Sequence, residues 1–217
     1  MADACEALIL DFGGVISKTL FETHRASEAA LGLPEFTLDW YGPFGRGSDA
    51  LWRAMEAGEI SERDYYFRRT AETGALLGET WTALPDLLRR IRGDDPASAI
   101  RPEALDAISR AKAAGCKLAV LSNELDLFYG ADFRARLDFL RDFDVIVDAT
   151  YTKVLKPAPQ AYAFAIEGLG LPAAACVFVD DQWRNVQGGL AAGLRCVHFD
   201  VTQPQTSYHQ ALTMLGL

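Results

Sequence analysis

The sequence predicts an α/β fold, a doubly wound parallel sheet interrupted early by an inserted α-helical domain. Three observations carry this. Five short apolar runs, at Ala7–Leu10, Leu118–Leu121, Asp144–Val147, Cys176–Val179 and Arg195–Phe199, lack polar alternation. Strands covered by helices on both faces have that composition. From about residue 97 onward the runs alternate with helix-like segments, the pattern of a wound sheet. Between the first run and the others lies a long stretch, 18–95, that is helical in pattern throughout.

Taken in order, the first run, Leu8-Ile9-Leu10, ends in Asp11 and the turn Gly13-Gly14. In the insert, Ser48 precedes an apolar-periodic stretch that closes at Gly58. Ser61 and Asp64 form a capping signal, and the helix they open is expected to end near Gly74. Leu87, Leu88 and Ile91 continue the helical period, and Gly93-Asp94-Asp95-Pro96 reads as the hinge back to the sheet. The expected domains are therefore a core of 1–17 with 96–217 and a helical cap of 18–95. Pro102 to Gly115 opens on proline and closes on glycine, as helices do. The segment from Pro157 closes on glycine too, and Arg184 to Gly193 is a third helix. Open α/β sheets bind ligands beyond the carboxyl ends of their strands, so an insert that begins there is expected to act as a lid.

Composition narrows the function. The 217 residues include 30 acidic and 21 basic side chains, a net charge of -9, and half are apolar. Nucleic-acid binders need a basic stripe to replace phosphate counterions, so no nucleic-acid partner is expected. The apolar stretches fall far short of the ~20 residues of a membrane span, so no membrane partner is expected either. The opening MADACEALIL lacks the basic start of a signal peptide. Cys5, Cys116, Cys176 and Cys196 are far apart and form no C-x-x-C, which reads as reduced, buried thiols in a cytoplasmic protein.

Polar groups follow the apolar runs. Asp11 follows the first, Ser122 and Asn123 the second, Lys156 lies past the third, and Asp180 and Asp181 follow the fourth. A lone aspartate after a strand is usually a turn former, and a lone lysine is usually solvated. Their convergence on one sheet edge is the signal. Three carboxylates cannot crowd together without a compensating cation. Mg²⁺ suits hard oxygen ligands. Lys156, the Ser122 hydroxyl and the amides of Gly13-Gly14 would hold anionic oxygens. Asp11 is placed to attack an electrophile and form a covalent intermediate.

These motifs resemble the haloacid dehalogenase-like hydrolase superfamily. The resemblance rests on Asp11-Phe12-Gly13-Gly14-Val15, on Leu121-Ser122-Asn123, on Lys156-Pro157, and on Val179-Asp180-Asp181-Gln182-Trp183-Arg184-Asn185-Val186 with Gly188-Gly189. It implies a Rossmann-like core, a helical cap of the C1 type and Mg²⁺-dependent phosphatase activity. It implies that Asp11 is the nucleophile and that Asp11, the Gly13 carbonyl, Asp181 and Asp180 hold the metal, with the order of the last two open. Asn185 would orient a metal water or a carboxylate, Ser122 and Asn123 would bond the phosphoryl group, and Lys156 would offset its charge. One departure stands out: Gly13 occupies the place where such phosphatases carry an aspartate as general acid. Three readings stay open: a phosphatase, a metal-free 2-haloacid dehalogenase in which Asp11 attacks carbon, and a binding protein without turnover.

The cap is expected to choose a small phosphorylated metabolite. Gly14 at the site, and Tyr41, Arg46 and Trp52 in the cap, are the substrate-contact candidates, with His24 and Arg25 behind them. Tyr65, Tyr66 and Phe67 read as cap packing, His198 as structural, and His209 as part of a polar tail. Trp183 either borders the site or packs. The sequence leaves the oligomeric state open.

Overall fold

Strand β1 (Ala7–Leu10) lies at the centre of an all-parallel sheet of five strands. Its neighbours are β2 (Lys117–Ser122) and β4 (Cys176–Asp180). The edges are β3 (Val145–Asp148) and β5 (Arg195–His198), giving the order β3-β2-β1-β4-β5. The chain winds outward from β1 through β2 to β3, then returns to the other side of β1, so the order reverses at β1. Doubly wound sheets bind ligands beside such a reversal. This computed structural model describes residues 6–45, 49–92 and 96–217. The helices are α1 (His24–Leu31), α2 (Ala50–Glu56), α3 (Glu62–Leu76), α4 (Leu84–Arg92), α5 (Pro102–Ala113), α6 (Leu125–Tyr129), α7 (Ala131–Ala135), α8 (Ala149–Thr152), α9 (Pro159–Leu169), α10 (Trp183–Ala191) and α11 (Pro204–Leu215). They fall into two compact units, Met1–Lys18 with Ala99–Leu217 and Thr19–Ser98. Among the described residues no helix is long and apolar enough to cross a membrane.

In the sheet unit, successive side chains point to opposite faces. Leu8, Leu10, Leu118, Val120, Val177 and Val179 share one core with Ala104 and Ile108 of α5 and with Tyr208 and Leu212 of α11. Ala7, Ile9, Ala119, Leu121, Cys176 and Phe178 share the other with Ala161, Tyr162, Ala165 and Leu169 of α9. Both faces are covered, which is why the strands are continuous apolar runs. Each fully buried aliphatic side chain contributes about 1.5–3 kcal/mol.

In the helical unit, Asp49 organises the packing. It caps α2 by accepting the Trp52 amide at 2.9 Å, and accepts the Tyr65 hydroxyl at 2.7 Å and Arg69 at 2.5 Å. Burial alone would raise its pKa, but these donors hold it below the ordinary aspartate value. The rings of Trp40, Trp52 and Tyr65 surround Phe21. Ser61 and Asp64 form a reciprocal capping box at the start of α3.

Several sequence expectations shift. Strand β3 starts at Val145; Asp144 lies outside it and accepts the Leu118 amide at 2.8 Å. Helix α9 starts at Pro159, not Pro157, because the residue before a proline is driven out of helical geometry and Ala158 is extended (ψ 132°). Helix α3 runs through Gly74 to Leu76. A Cβ at Gly74 would stand 3.0 Å from the Trp81 ring, so this glycine makes room for a neighbour and does not stop the helix. Phe67 is 49% exposed and does not pack as expected. Cys116, Cys176 and Cys196 form no disulfide, but of these three only Cys176 is fully buried. Burial pushes the Cys196 thiol up to about 12, which makes it inert. His209 belongs to α11, not to a polar tail. Cys5, Ser48 and the hinge residues 93–95 lie outside the described residues.

Candidate active site

Strand register assembles the site. Leu10 pairs with Val120 and with Val179, so Asp11, Leu121 and Asp180 come next along three adjacent strands. The Asp11 amide extends the pairing by donating to the Val179 carbonyl at 2.9 Å. Ser122 ends β2 one residue further on. Asp11, Ser122, Lys156, Asp180 and Asn185 are all buried, and Asp181 is half-buried.

Lys156 stands between two carboxylates. Its Nζ lies 2.8 Å from Asp11 Oδ1 and 2.6 Å from Asp180 Oδ2. Full burial alone would lower its pKa, but Asp11 and Asp180 outweigh that and hold the ammonium above the ordinary lysine value. Asp180 is fixed further by the Gln182 amide at 2.8 Å and by Asn185 Nδ2 at 3.1 and 3.2 Å from its two oxygens. Asn185 is itself held by α9, since the Tyr162 hydroxyl donates to its carbonyl at 2.7 Å.

Carboxylate oxygens of Asp11, Asp180 and Asp181 lie within 4.8 Å of one another. One ammonium against three carboxylates leaves these four groups with an excess of two negative charges. The donor set is hard oxygen throughout, which fits Mg²⁺. Asn185 Oδ1, buried beside the cluster, accepts no hydrogen bond from the described residues. A water carried by a hydrated cation would supply the donor it lacks.

After Asp11 the chain makes one helical turn, Phe12–Ile16, broken at Gly13 (φ −70°, ψ 128°) and Gly14 (φ 76°, ψ −28°). Position 14 strongly favours glycine, for its positive φ and because a Cβ would stand 2.4 Å from Asp181 Oδ2. Gly14 therefore packs against the carboxylate cluster, beside Asp181. Gly13 has ordinary backbone angles, and a Cβ there would meet nothing within 4 Å.

The other candidates fall as follows. The Asn123 side chain accepts the Lys156 amide at 2.7 Å and donates to the Lys156 carbonyl at 3.2 Å. The side chain thus clamps the main chain of Lys156 and helps to position it. Tyr41 and Trp52 lie in the helical unit among aromatic rings, Tyr41 5.4 Å from His24 and Trp52 5.1 Å from Phe21. Arg46 lies outside the described residues. Arg25 pairs with Glu28 at 2.5 Å and stacks on Phe36. Trp183 is 53% exposed, its ring 5.4 Å from His198, whose Nε2 lies 3.0 Å from the Asp181 carbonyl oxygen. Arg101, buried beneath the Asp11 turn, was missed; its only mark in the sequence is a charge set in the run Ala99-Ile100-Arg101-Pro102.

Residues 5–193 match the model of the haloacid dehalogenase-like hydrolases. The chain belongs to that family. Among its relatives is the plasmid protein CbbY of Cupriavidus necator, 28% identical over 97% of this chain and 84% of that protein. A phosphatase of Mycobacterium tuberculosis is 29% identical over 89% of this chain and 87% of its own. Suppressor of quenching 1, a chloroplastic protein of Arabidopsis thaliana, is 36% identical over 46% of this chain, which spans only 10% of its length. The fold is shared with the magnesium-bound HAD-hydrolase YfnB of Bacillus subtilis, at TM-score 0.71 and 18% identity over 99% of this chain and 100% of that one. It is shared also with L-2-haloacid dehalogenase of Xanthobacter autotrophicus, at TM-score 0.56 and 19% identity over 89% and 77%. At these identities the two structures speak for a hydrolase-family fold and not for a reaction.

Proposed function

We propose that the chain is a Mg²⁺-dependent phosphatase of a small phosphorylated metabolite, with Asp11 as the nucleophile. The observation that carries this is the convergence of carboxylate oxygens of Asp11, Asp180 and Asp181 within 4.8 Å of one another, with the Lys156 ammonium paired to the first two. A site that displaces halide has no use for a divalent cation, whereas phosphoryl transfer does. The name of the mycobacterial relative, a phosphatase matched along 87% of its own length, leans the same way.

Asp11, Asp180, Asp181 and the Gly13 carbonyl would hold the metal. When bound, Mg²⁺ would neutralise charge on the carboxylates and on the phosphoryl oxygens. Asp11 attacks phosphorus; the new P–O bond forms as the leaving oxygen departs with its electron pair, giving an aspartyl-phosphate. Lys156 keeps Asp11 ionised and offsets the charge that develops on the phosphoryl oxygens. The Ser122 hydroxyl and the amides of the Gly13-Gly14 turn donate to those oxygens. Water then attacks phosphorus, releasing phosphate and restoring Asp11. With glycine at position 13, protonation of the leaving group falls to solvent, so substrates with good leaving groups are favoured. The net charge of -9 argues against a nucleic-acid substrate.

The absence of a general acid at position 13 favours one second reading, a dehalogenase, because a departing halide needs no proton. One pair of assays separates the two. Mg²⁺-dependent hydrolysis of p-nitrophenyl phosphate, lost in Asp11→Asn, supports the phosphatase. Halide release from 2-chloropropionate that persists in EDTA refutes it.

A further inference from the structure

The turn that carries Asp11 is held from below by a residue with no part in the reaction as proposed. Arg101 is only 2% exposed and is among the largest fully buried side chains. Its Nε donates to the Gly14 carbonyl at 3.0 Å, across 87 residues of sequence. Its main-chain amide donates to the Ile16 carbonyl at 3.0 Å. Ser17 bridges Ile100, and the Lys18 amide donates to the Ala99 carbonyl at 2.7 Å, so the chain leaving the turn is paired along the chain entering α5. Tyr208 of α11 donates its hydroxyl to the Val15 carbonyl at 3.0 Å.

Burying a guanidinium costs several kcal/mol before its contacts repay it. An apolar residue would fill the same volume without that cost, so packing does not explain the choice. The backbone of Arg101 is extended (φ −72°, ψ 128°), as the following Pro102 requires, and the guanidinium lies over the Phe199 ring, 5.6 Å from its centre. The donor is therefore fixed in direction as well as in place. Gly14 is gripped twice, with Arg101 on its carbonyl and Asp181 against its Cα. The gripped carbonyl lies in the middle of the Phe12–Ile16 turn, three residues past Asp11.

We propose that Arg101 is a positioning residue for the nucleophile: by fixing the Gly14 carbonyl it holds the Phe12–Ile16 turn where Asp11 meets Lys156 and Asp181. The role argued for Arg101 runs through the Gly14 carbonyl, and only the kinetic arm of its test rests on the phosphatase reading. The test compares amide hydrogen exchange in wild type, Arg101→Met and Arg101→Lys, with kcat and KM on p-nitrophenyl phosphate measured beside it. Arg101→Lys keeps the cation without the Nε donor and stands in if the methionine variant does not fold. The Ser17 amide, bonded to the Phe12 carbonyl at 2.8 Å, reports whether the turn is closed. Its exchange should quicken about tenfold while β4 stays unchanged, and kcat should fall about tenfold with KM nearly constant, the scale of one lost charge-assisted hydrogen bond. Unchanged Ser17 exchange in a folded variant overturns the proposal. Exchange that quickens equally in β4 overturns it too, since that is general loosening. If wild type hydrolyses no phosphate ester but the Ser17 amide is still selectively released, the positioning role stands and the phosphatase reading fails.

Discussion

The Lys156 ammonium lies 2.8 Å from Asp11 Oδ1, inside the protein, with its side chain only 1% exposed. Removing the cation would leave Asp11 beside Asp180 with nothing between them. Breaking a buried pair in this way costs roughly 3–5 kcal/mol. Lys156→Met should lose stability on that scale in urea denaturation, and Mg²⁺ should restore part of it. Turnover should fall by roughly 10²–10³, as on loss of a donor to transition-state charge. Because the folded pKa is raised, the pairing is complete below the unfolded value of ~10.4 and is lost only as pH rises through the folded one, so stability should not drop between pH 7 and 9 on its account.

At Gly14 the cost of a methyl group is twofold. Alanine would sit at φ 76° with its Cβ 2.4 Å from Asp181 Oδ2. The backbone term alone is about 1–3 kcal/mol. Gly14→Ala should bind Mg²⁺ more weakly in calorimetric titration, because Asp181 has to move. An isotherm identical to wild type would show that Asp181 is not a ligand.

The space beside Gly13 invites the reverse experiment. A Cβ there meets nothing within 4 Å, and the backbone angles are ordinary, so a side chain can start at this position. Gly13→Asp should raise turnover of alkyl phosphates, whose leaving groups need a proton, with a ceiling of ~10²–10⁴-fold. Turnover of p-nitrophenyl phosphate should change far less. Equal rates for both substrates, unchanged from wild type, would mean that another group already supplies the proton.

His24 offers a test in the helical unit. It is 4% exposed, its ring lies 4.4 Å from that of Trp40, and neither ring nitrogen has a hydrogen-bond partner among the described residues. Burial lowers its pKa to about 4; Glu28 opposes this, Arg25 and Arg69 add to it, and Asp39 opposes it weakly. The unfolded chain takes up a proton near pH 6.5 while the folded chain does not, so stability falls as pH drops from about 6.5 to 4, by up to about 3 kcal/mol. His24→Phe should be more stable than wild type at pH 4.5 and should flatten this dependence. Parallel curves for the two proteins would remove His24 as its source.

Much of the fold could be read from the sequence because both faces of the sheet are covered, so each strand is an unbroken apolar run such as Leu8-Ile9-Leu10. Residues that end those runs, among them Asp11, Ser122 and Asp180, could be placed on one edge for the same reason. What escaped has no periodic signature. The Asn123 clamp joins residues 33 apart, and the Arg101 contact with Gly14 joins residues 87 apart. Gly74 looks like a helix stop until Trp81 is seen against it. The short helices α6 to α8 are too brief to show a period, and the polar residues of α11 conceal the face that Tyr208 and Leu212 bury.

The most direct test of the account is to trap the intermediate. The protein would be quenched in acid during turnover of p-nitrophenyl phosphate, reduced with borohydride, and digested for mass spectrometry. An aspartyl-phosphate reduces to homoserine, so the account predicts that Asp11 alone is converted, and only when both substrate and Mg²⁺ are present. Full phosphate release with Asp11 unconverted would contradict it.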